Sequence, residues 1–137
     1  MAQVRDVMTP NPESCASDAS VADAARTMAK ADVGPIPVVD GERLVGILTD
    51  RDIVVRVVAE GRDPQATTVG EVASTGLTTV SPDEDLDQAL QLLAEQRVRR
   101  LPVVEGEKLV GIVAQADIAR QGDDAQTGAV VEKISEG

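Results

Sequence analysis

Apolar residues recur along the chain at two spacings, one typical of helices and one typical of buried strands. The helical spacing, i, i+3, i+4 and i+7, is met by Val21, Ala24, Ala25 and Met28. A hydroxyl residue, Ser20, precedes this face, so a helix is predicted to begin there. Apolar runs that hardly alternate follow and predict strands covered on both faces. The runs are Ile36 to Val39 and Leu44 to Leu48.

The same pattern occurs a second time, 65 positions later, where Asp85 is the predicted start of a helix with the apolar face Leu86, Ala89, Leu90 and Leu93. Val4 to Ile53 aligns without a gap to Val69 to Ile118, and 17 of the 50 aligned positions are identical. Unrelated stretches would agree at only a few positions, so the chain contains an internal duplication. A repeat of this size is one supersecondary unit that buries its open face against its twin. The cleft between two such units is a natural place for a small molecule.

Each copy is predicted to fold as β-α-β-β-α, which places the chain in the mixed α/β (α+β) class. A helical turn opens each copy, and a brief strand follows it near Ser14 and Cys15 in the first copy and over Thr78 to Val80 in the second. A hairpin is predicted where an acidic residue and a glycine separate two apolar runs. These turns are Asp40-Gly41 and Glu105-Gly106.

A second helix closes each copy. In the first copy it is predicted over Asp50 to Glu60, with Gly61 as the residue that ends it. Its counterpart is predicted to run from Ala116 to Arg120 and to stop at Gly122. We therefore expect repeat 1 at 1–63, repeat 2 at 64–122 and a helical tail at 123–137. The apolar stripe of that tail is expected to dock on this subunit or on a second one.

Composition supports one compact domain and argues against several classes of function. The 137 residues suit an ordinary core, although Phe, Tyr and Trp are absent. A net charge of −11 argues against binding to nucleic acid or to an anionic membrane surface. No apolar stretch approaches the ~18 residues that span a bilayer, and the N-terminus lacks the pattern of a signal peptide. Because a lone Cys15 makes no intrachain disulfide, we expect a cytoplasmic protein in which Cys15 is a small buried hydrophobe.

Catalysis and a metal centre are not expected. The chain has no His, which removes the commonest general base, and it has no phosphate-binding P-loop or dinucleotide fingerprint. Transition-metal sites built from His and Cys are excluded by composition. The acidic residues at 83, 84, 85 and 87 have the chemistry to hold Mg²⁺ or Ca²⁺. We prefer the interpretation that they favour the dipole at a helix N-terminus.

The residues after each hairpin carry a resemblance to a known family. Segments 46–53 and 111–118, together with the Pro-Val-Val and Leu-Val-Gly-Ile motifs before them, resemble a pair of CBS domains, modules first named from cystathionine β-synthase. The resemblance extends from Val4 to about Gly122. Within the family, the chain is similar in particular to stand-alone bacterial CBS-pair proteins. The resemblance implies a sensor in which two repeats pack about a pseudo-twofold axis. It also implies clefts that hold adenosine-containing ligands and a disc-shaped dimer of two pairs.

The resemblance further implies where a ligand would bind. In the Gly-hydrophobic-x-Thr-x-x-Asp segment, Asp52 would accept hydrogen bonds from both ribose hydroxyls, and Thr49 would approach the ribose or a phosphate. A carboxylate suits this task because its two oxygens match a vicinal diol. Arg99 and Arg100 of the other repeat would contact phosphate, whose oxygens suit guanidinium forks. Without aromatic rings the adenine would lie between aliphatic groups, at the matching positions Ile47, Leu77, Thr78 and Val98.

Each of these features also has a structural interpretation. Thr49 and Asp52 form a helix-capping pattern, which would by itself account for both residues. Arg99 and Arg100 could be solvated or could pair with surface carboxylates for little gain in stability. Taken together, in two repeats that the family fold brings face to face, the four residues favour nucleotide binding.

The symmetry-related site is degenerate. It would need Thr or Ser at 114 and basic residues at 34 and 35, but the chain has Ala114, Gly34 and Pro35 there. Only Asp117 is retained, so a phosphorylated ligand would face carboxylates without a counter-charge. We expect one good site per chain, and only nucleosides or uncharged adenosine compounds as ligands of the second.

Two hypotheses of function follow. The first is a non-catalytic regulatory module that senses AMP, ADP, ATP or a related compound and is read by an unidentified protein target. The second is a constitutive dimeric adaptor with vestigial clefts, which the degenerate second site favours. A homodimer is expected because the end helix of the first copy leaves apolar residues only partly covered. Those residues are Ile53, Val54, Val57 and Val58.

Overall fold

A computed structural model describes the backbone of residues 2–125 and the side chains of residues 2–120. Helices and strands alternate along both copies, which confirms the mixed α/β class. The predicted tail lies outside the described residues from position 126 onward. The first copy contains α1 (Val4–Val7), β1 (Thr9–Pro10), β2 (Cys15–Ala16), α2 (Val21–Ala31), β3 (Ile36–Asp40), β4 (Arg43–Leu48) and α3 (Asp50–Ile53), which continues as a π-helical segment (Val54–Val58). The second contains α4 (Val69–Val72), α5 (Leu86–Gln96), β5 (Arg100–Glu105), β6 (Lys108–Ala114) and α6 (Gln115–Ala125).

Local signals place the two long amphipathic helices where the sequence predicts them. The Ser20 hydroxyl accepts a hydrogen bond from the Asp23 N–H at 3.1 Å, and the Asp85 carboxylate accepts one from the Asp87 N–H at 3.1 Å. Each bond satisfies one of the unpaired N–H groups of a first helical turn. Both helices begin at the residue after the cap.

The two hairpins form, but each turn lies one residue later than predicted. Asp40 and Glu105 are the last residues of their strands, and the turns begin at Gly41 and Gly106. These glycines adopt φ of +67° and +66°, a conformation that costs glycine little and other residues more.

The chain divides into two compact units that interleave the sequence repeats. We call Glu13–Leu77 with Glu107–Leu109 the Asp52 unit, and 2–12, Thr78–Gly106 and 110–125 the Asp117 unit. The opening helix of each copy thus packs in the unit that holds the strands of the other copy.

Backbone hydrogen bonds account for this exchange. In the Asp52 unit, the Gly70 N–H of α4 donates to the Ser17 carbonyl at 2.8 Å. In the Asp117 unit, the Val4 N–H of α1 donates to the Glu84 carbonyl at 2.9 Å. Because the first four N–H groups of a helix need partners outside it, these bonds tie each short helix to its unit.

The strands of each unit pair in a mixed arrangement. In the Asp52 unit, β2 is parallel to β3, β3 is antiparallel to β4, and Arg43 of β4 pairs with Lys108. In the Asp117 unit, β1 is antiparallel to β6, and β5 pairs with β6.

The strand predicted over Thr78 to Val80 is reduced to one parallel bridge, between Val80 and Val103. In the first copy, the Ser17 N–H extends the equivalent pairing by donating to the Val39 carbonyl at 2.9 Å. The residue in register with Ser17 is Pro82, which has no N–H to donate. A single proline therefore shortens the strand.

Aliphatic side chains from matching positions fill both cores. Cys15, in the Asp52 unit, is 8% exposed, and burial raises the pKa of its thiol to about 11. As predicted, it is a small buried hydrophobe. The buried residues of the Asp52 unit are Cys15, Val21, Ala24, Met28, Ile36, Val38, Leu48, Val57, Val69 and Val72. Those of the Asp117 unit are Val4, Val80, Leu86, Ala89, Leu93, Leu101, Val103, Val113 and Ile118.

The helices that close the two copies depart from their predictions. After α3, the Ala59 N–H donates to the Val54 carbonyl at 2.8 Å, the i→i+5 bond of a π-helix. This wider turn buries Val57 completely, although it was predicted to be partly uncovered. The predicted stop of the second helix at Gly122 is wrong, because α6 continues to Ala125. A single glycine costs a helix only about 1 kcal/mol, which does not end it.

Candidate functional site

The Asp52 carboxylate is fixed at the point where β4 ends and α3 begins. Its Oδ2 accepts a hydrogen bond from the Thr49 N–H at 3.0 Å, and the Thr49 hydroxyl accepts one from the Asp52 N–H at 3.0 Å. This reciprocal pair is a capping box. The structural interpretation of Thr49 and Asp52 is therefore confirmed, and any ligand role comes in addition to it.

The capping box leaves most of the Asp52 acceptor capacity unused. A carboxylate offers about four lone-pair positions, and one of them takes the Thr49 N–H. The second oxygen, Oδ1, lies 4.0 Å from Arg56 Nε, which is beyond hydrogen-bond length. The side chain is 13% exposed. Asp52 thus keeps free acceptor positions in a fixed, largely buried carboxylate.

Two predicted base-lining residues belong to the same unit. Ile47, on β4, exchanges two backbone hydrogen bonds with Ser74, at 2.9 and 2.8 Å. Leu77 follows three residues later, directly after Gly76, whose φ is +69°. Both side chains are half-buried. The Asp52 unit therefore contains Ile47, Thr49, Asp52 and Leu77, that is, half of the predicted primary site.

The other four predicted residues belong to the Asp117 unit. Arg100 is the first residue of β5, and Arg99 precedes it; both are exposed. Within the described part of the chain, neither guanidinium has a salt bridge. Val98 is 42% exposed and Thr78 is half-buried. The two cations are thus available to an anion. That these residues and those of the Asp52 unit serve one ligand stays a prediction.

A groove of about 430 Å³ adjoins Val98 and Arg99, and sequence reasoning missed it. Its walls come from α5 between Leu90 and Ala94, the segment that follows this helix and the first residue of α6. The Gln115 N–H donates to the Arg99 carbonyl at 2.9 Å and thereby joins the last two of these elements. The lining residues are Leu90, Leu93, Ala94, Arg97, Val98, Arg99 and Gln115.

The second copy has an equivalent carboxylate, Asp117, but not the reciprocal capping box of Thr49 and Asp52. Asp117 Oδ2 accepts a hydrogen bond from the Ala114 N–H at 3.1 Å, and its other oxygen pairs with Arg120. Ala114 has no hydroxyl to accept the reciprocal bond. At the position in register with Arg99 stands Gly34, where an added Cβ would lie 3.3 Å from Asp50 Oδ1. The Asp50 carboxylate therefore lies beside that position.

Sequence reasoning also missed a residue, Arg56. Its Nη1 donates to the Val72 carbonyl at 2.7 Å, while its Nε faces the Asp52 carboxylate. The i, i+4 spacing of an acid and a base was a visible signal for the contact with Asp52. The contact with Val72, 16 positions away, had no local signal.

Two further features bear on ligand class and location. Among the described residues, no group of three or more His, Cys, Asp or Glu side chains is placed to hold a metal ion. In the same part of the chain, none of the helices has the length and apolar character needed to cross a bilayer.

Comparisons with known proteins agree on one family. The model of the CBS domain matches residues 4–59 and 69–123. The chain is 43% identical over 136 residues to the CBS domain-containing protein YhcV of Bacillus subtilis, covering 98% of this chain and 96% of that protein. A crystal structure of CBSX2 in complex with AMP superposes with a TM-score of 0.79, at 28% identity, over 90% of this chain and 98% of that one.

A crystal structure of Hypoxic Response Protein I with two coordinated zinc ions superposes with a TM-score of 0.80, at 38% identity, over 87% of this chain and 98% of that one. The present chain has no His and a single, buried Cys. Since protein zinc sites rely on Cys and His ligands, its residues do not fit such a site. The two matched segments and the full-length relatives together show that the chain belongs to the CBS domain family, with two copies of that domain.

Proposed function

We propose that this protein is a non-catalytic regulatory module that binds an adenosine-containing ligand, such as AMP, ADP or ATP. CBS domain proteins are generally regulatory and non-catalytic. The CBSX2 structure with AMP supports the ligand class for a relative of similar fold. The bound state would be read by a protein target.

The observation that carries the proposal is the Asp52 carboxylate. It is held in place by the Thr49 N–H, largely buried, and still has free acceptor positions on both oxygens. A vicinal ribose diol offers two donors to such a group. Hydrogen bonds to a charged group contribute about 1.5–3 kcal/mol each, enough to select ribose-containing compounds.

Arg99 and Arg100 are proposed to supply the phosphate contacts, and Ile47, Leu77, Thr78 and Val98 to line the base. Both guanidinium groups are exposed and lack a salt bridge among the described residues. In a chain of net charge −11, two adjacent free cations favour an anionic ligand. In the second copy, Ala114 and Asp117 are proposed to form at most a site for uncharged adenosine compounds.

Besides the degenerate second site, one structural observation favours the adaptor hypothesis. The capping box accounts for both Thr49 and Asp52 without any ligand. Under that hypothesis the protein is a constitutive homodimer that presents a surface to other proteins.

Under either hypothesis we propose a homodimer. Val54, Val55 and Val58 are 57%, 46% and 66% exposed and form an apolar patch on the π-helical segment. Patches of this kind mark interfaces. Light scattering at high protein concentration should give twice the 14.3 kDa chain mass, and a stable species of one chain mass would contradict the dimer.

Calorimetric titration with AMP, ADP, ATP and S-adenosylmethionine tests the ligand. A compound that binds only the folded state stabilises it by about 2.7 kcal/mol at a hundredfold excess over Kd. The unfolding midpoint should therefore rise, and it is best followed by circular dichroism because the chain has no Trp or Tyr. If none of the four compounds binds or raises the midpoint at millimolar concentration, the adaptor hypothesis replaces the regulatory one.

A further inference from the structure

Arg56 has two partners within the Asp52 unit, and they belong to different elements. Its Nη1 donates to the carbonyl of Val72, the last residue of α4, at 2.7 Å. This carbonyl is one of the groups that a helix C-terminus leaves without an intrahelical partner. Its Nε lies 4.0 Å from Oδ1 of Asp52, at the start of α3. One guanidinium thus joins the candidate ribose carboxylate to the end of α4.

The segment that follows α4 is packed closely on β4. Ser74 exchanges two backbone hydrogen bonds with Ile47, and a Cβ added at Gly46 would lie 2.8 Å from the Ser74 carbonyl oxygen. Leu77, a proposed base-lining residue, lies three positions further along this segment. The segment between α4 and Leu77 is therefore anchored at two points, by Ser74 on β4 and by the Val72 carbonyl on Arg56.

We propose that Arg56 is a positioning residue for ribose recognition. It holds the Asp52 carboxylate in a fixed orientation and in a fixed relation to segment 72–77. The proposal rests on the proposed function and deepens it, because it names the residue that prepares the ribose-binding group.

The physical argument concerns the terminal torsion of Asp52. Rotation about the bond to a carboxyl group has broad, shallow minima, and the single hydrogen bond from the Thr49 N–H fixes only Oδ2. A planar cation opposite Oδ1, itself held by the Val72 carbonyl, restricts the remaining rotation. A vicinal diol needs two acceptors in a defined orientation. A carboxylate that already has this orientation loses less conformational freedom when the ligand binds.

The second copy provides a matched control. The residue in register with Arg56 is Gln121, and Asp117 instead pairs with Arg120, three positions along the helix. Arg120→Ala therefore removes a cation from an equivalent carboxylate without touching the Asp52 unit.

The test compares AMP with 2′-deoxy-AMP by calorimetric titration of the full chain, because phosphorylated ligands are not expected at the second copy. For Arg56→Ala we expect about fivefold weaker binding of AMP and a smaller preference for AMP over 2′-deoxy-AMP. Arg56→Lys should recover part of that preference, because it keeps the charge but not the fork. Arg120→Ala should leave both affinities unchanged. Circular dichroism melts establish that each variant is folded.

A purely structural role for Arg56 would weaken both ligands by the same factor and leave their ratio unchanged. That result overturns the inference while the proposed function stands. If Arg56→Ala does not fold, folded Arg56→Gln takes its place, because it removes the charge and keeps a polar side chain. An unchanged ratio in that variant overturns the inference equally. Wild-type protein that binds neither nucleosides nor nucleotides overturns the proposed function and this inference together.

Discussion

Helices α3 and α6 begin in the same way, but they place different chemical groups around a shared carboxylate. Each has an Asp three residues into the helix whose Oδ2 accepts the N–H at the cap position, at 3.0 Å for Asp52 and 3.1 Å for Asp117. The two carboxylates are 13% and 12% exposed. What differs is the cap residue, Thr49 or Ala114, and the cation, which stands four residues on at Arg56 or three residues on at Arg120.

This comparison separates the features that both copies share from those that differ between the copies. The Asp-to-backbone bond is common to both copies because it satisfies an otherwise unpaired N–H group. The hydroxyl, the neighbouring cation and the two arginines at the start of β5, Arg99 and Arg100, differ between the copies. We therefore assign the shared bond between the Asp carboxylate and the backbone to helix initiation. The unshared groups are proposed to decide which of the two carboxylates also binds a ligand.

The largest expected difference between the copies is the effect of Asp52→Asn on binding. The variant keeps the side-chain size but loses a charged acceptor for the ribose diol, so AMP should bind at least about tenfold more weakly. Asp117→Asn should barely change AMP affinity. Calorimetry on both variants, with melts as a folding control, makes the measurement. If the two variants behave alike in binding and in stability, the asymmetric single-site arrangement is wrong.

Arg100→Ala tests the second unshared feature. Because solvent screens an exposed cation, we expect a loss of about fivefold in AMP affinity. Adenosine should bind as it does to the wild type, since it has no phosphate. The comparison of the two ligands is the internal control. An equal loss for both would mean that Arg100 supports the structure and does not contact phosphate.

Exchanging the cap residues should make each helix start resemble the other. Thr49→Ala removes the reciprocal capping bond and should lower the free energy of unfolding by about 1 kcal/mol. Ala114→Thr supplies the missing hydroxyl, and it should raise that free energy by a similar or smaller amount. Urea denaturation followed by circular dichroism measures both. A neutral Thr49→Ala would show that the Asp52 bond alone starts α3.

The smallest expected effect concerns pH and the opening turn of the second copy. The Thr68 N–H and hydroxyl, at 2.7 and 3.0 Å, and the nearby Arg62 hold the pKa of Glu71 below its usual value of 4.5. The fold therefore favours the ionised carboxyl. The stabilisation is present above pH 4.5 and is lost as the pH falls through the lowered pKa.

Glu71→Gln should accordingly show a weaker fall of the melting midpoint than wild type as the pH drops below 4.5. Well above that pH, the difference between the two midpoints should be constant. Parallel midpoint curves for wild type and Glu71→Gln would contradict this role of Glu71.

Predictions from the sequence succeeded where the deciding interactions are local. The caps at Ser20 and Asp85, the box of Thr49 and Asp52 and the glycine turns after β3 and β5 all depend on residues within four positions of each other. The family followed from motifs at matching spacing. The candidate site was proposed from the same motifs, and its ligand stays a prediction.

Sequence reasoning failed where a partner comes from far along the chain or where one residue changes a hydrogen-bond pattern. The Arg56 bond to Val72 has no local signal. The pairing at Val80 is short because Pro82 has no N–H to donate, whereas Ser17, the residue in register with it, donates one. Gly122 is a weak breaker, since a single glycine costs a helix only about 1 kcal/mol, and only the structure shows that the backbone of α6 continues past it.

By itself, the sequence of this protein determined two copies of one unit, their order of helices and strands, and the cap and turn residues. The reason is that hydrophobic periodicity and capping act over one or two turns of chain. Only the tertiary structure decided that the opening turn of each copy packs in the unit of the other, and that Arg56 reaches Val72. Those outcomes depend on which unpaired backbone groups come together in space, and local sequence does not contain that information.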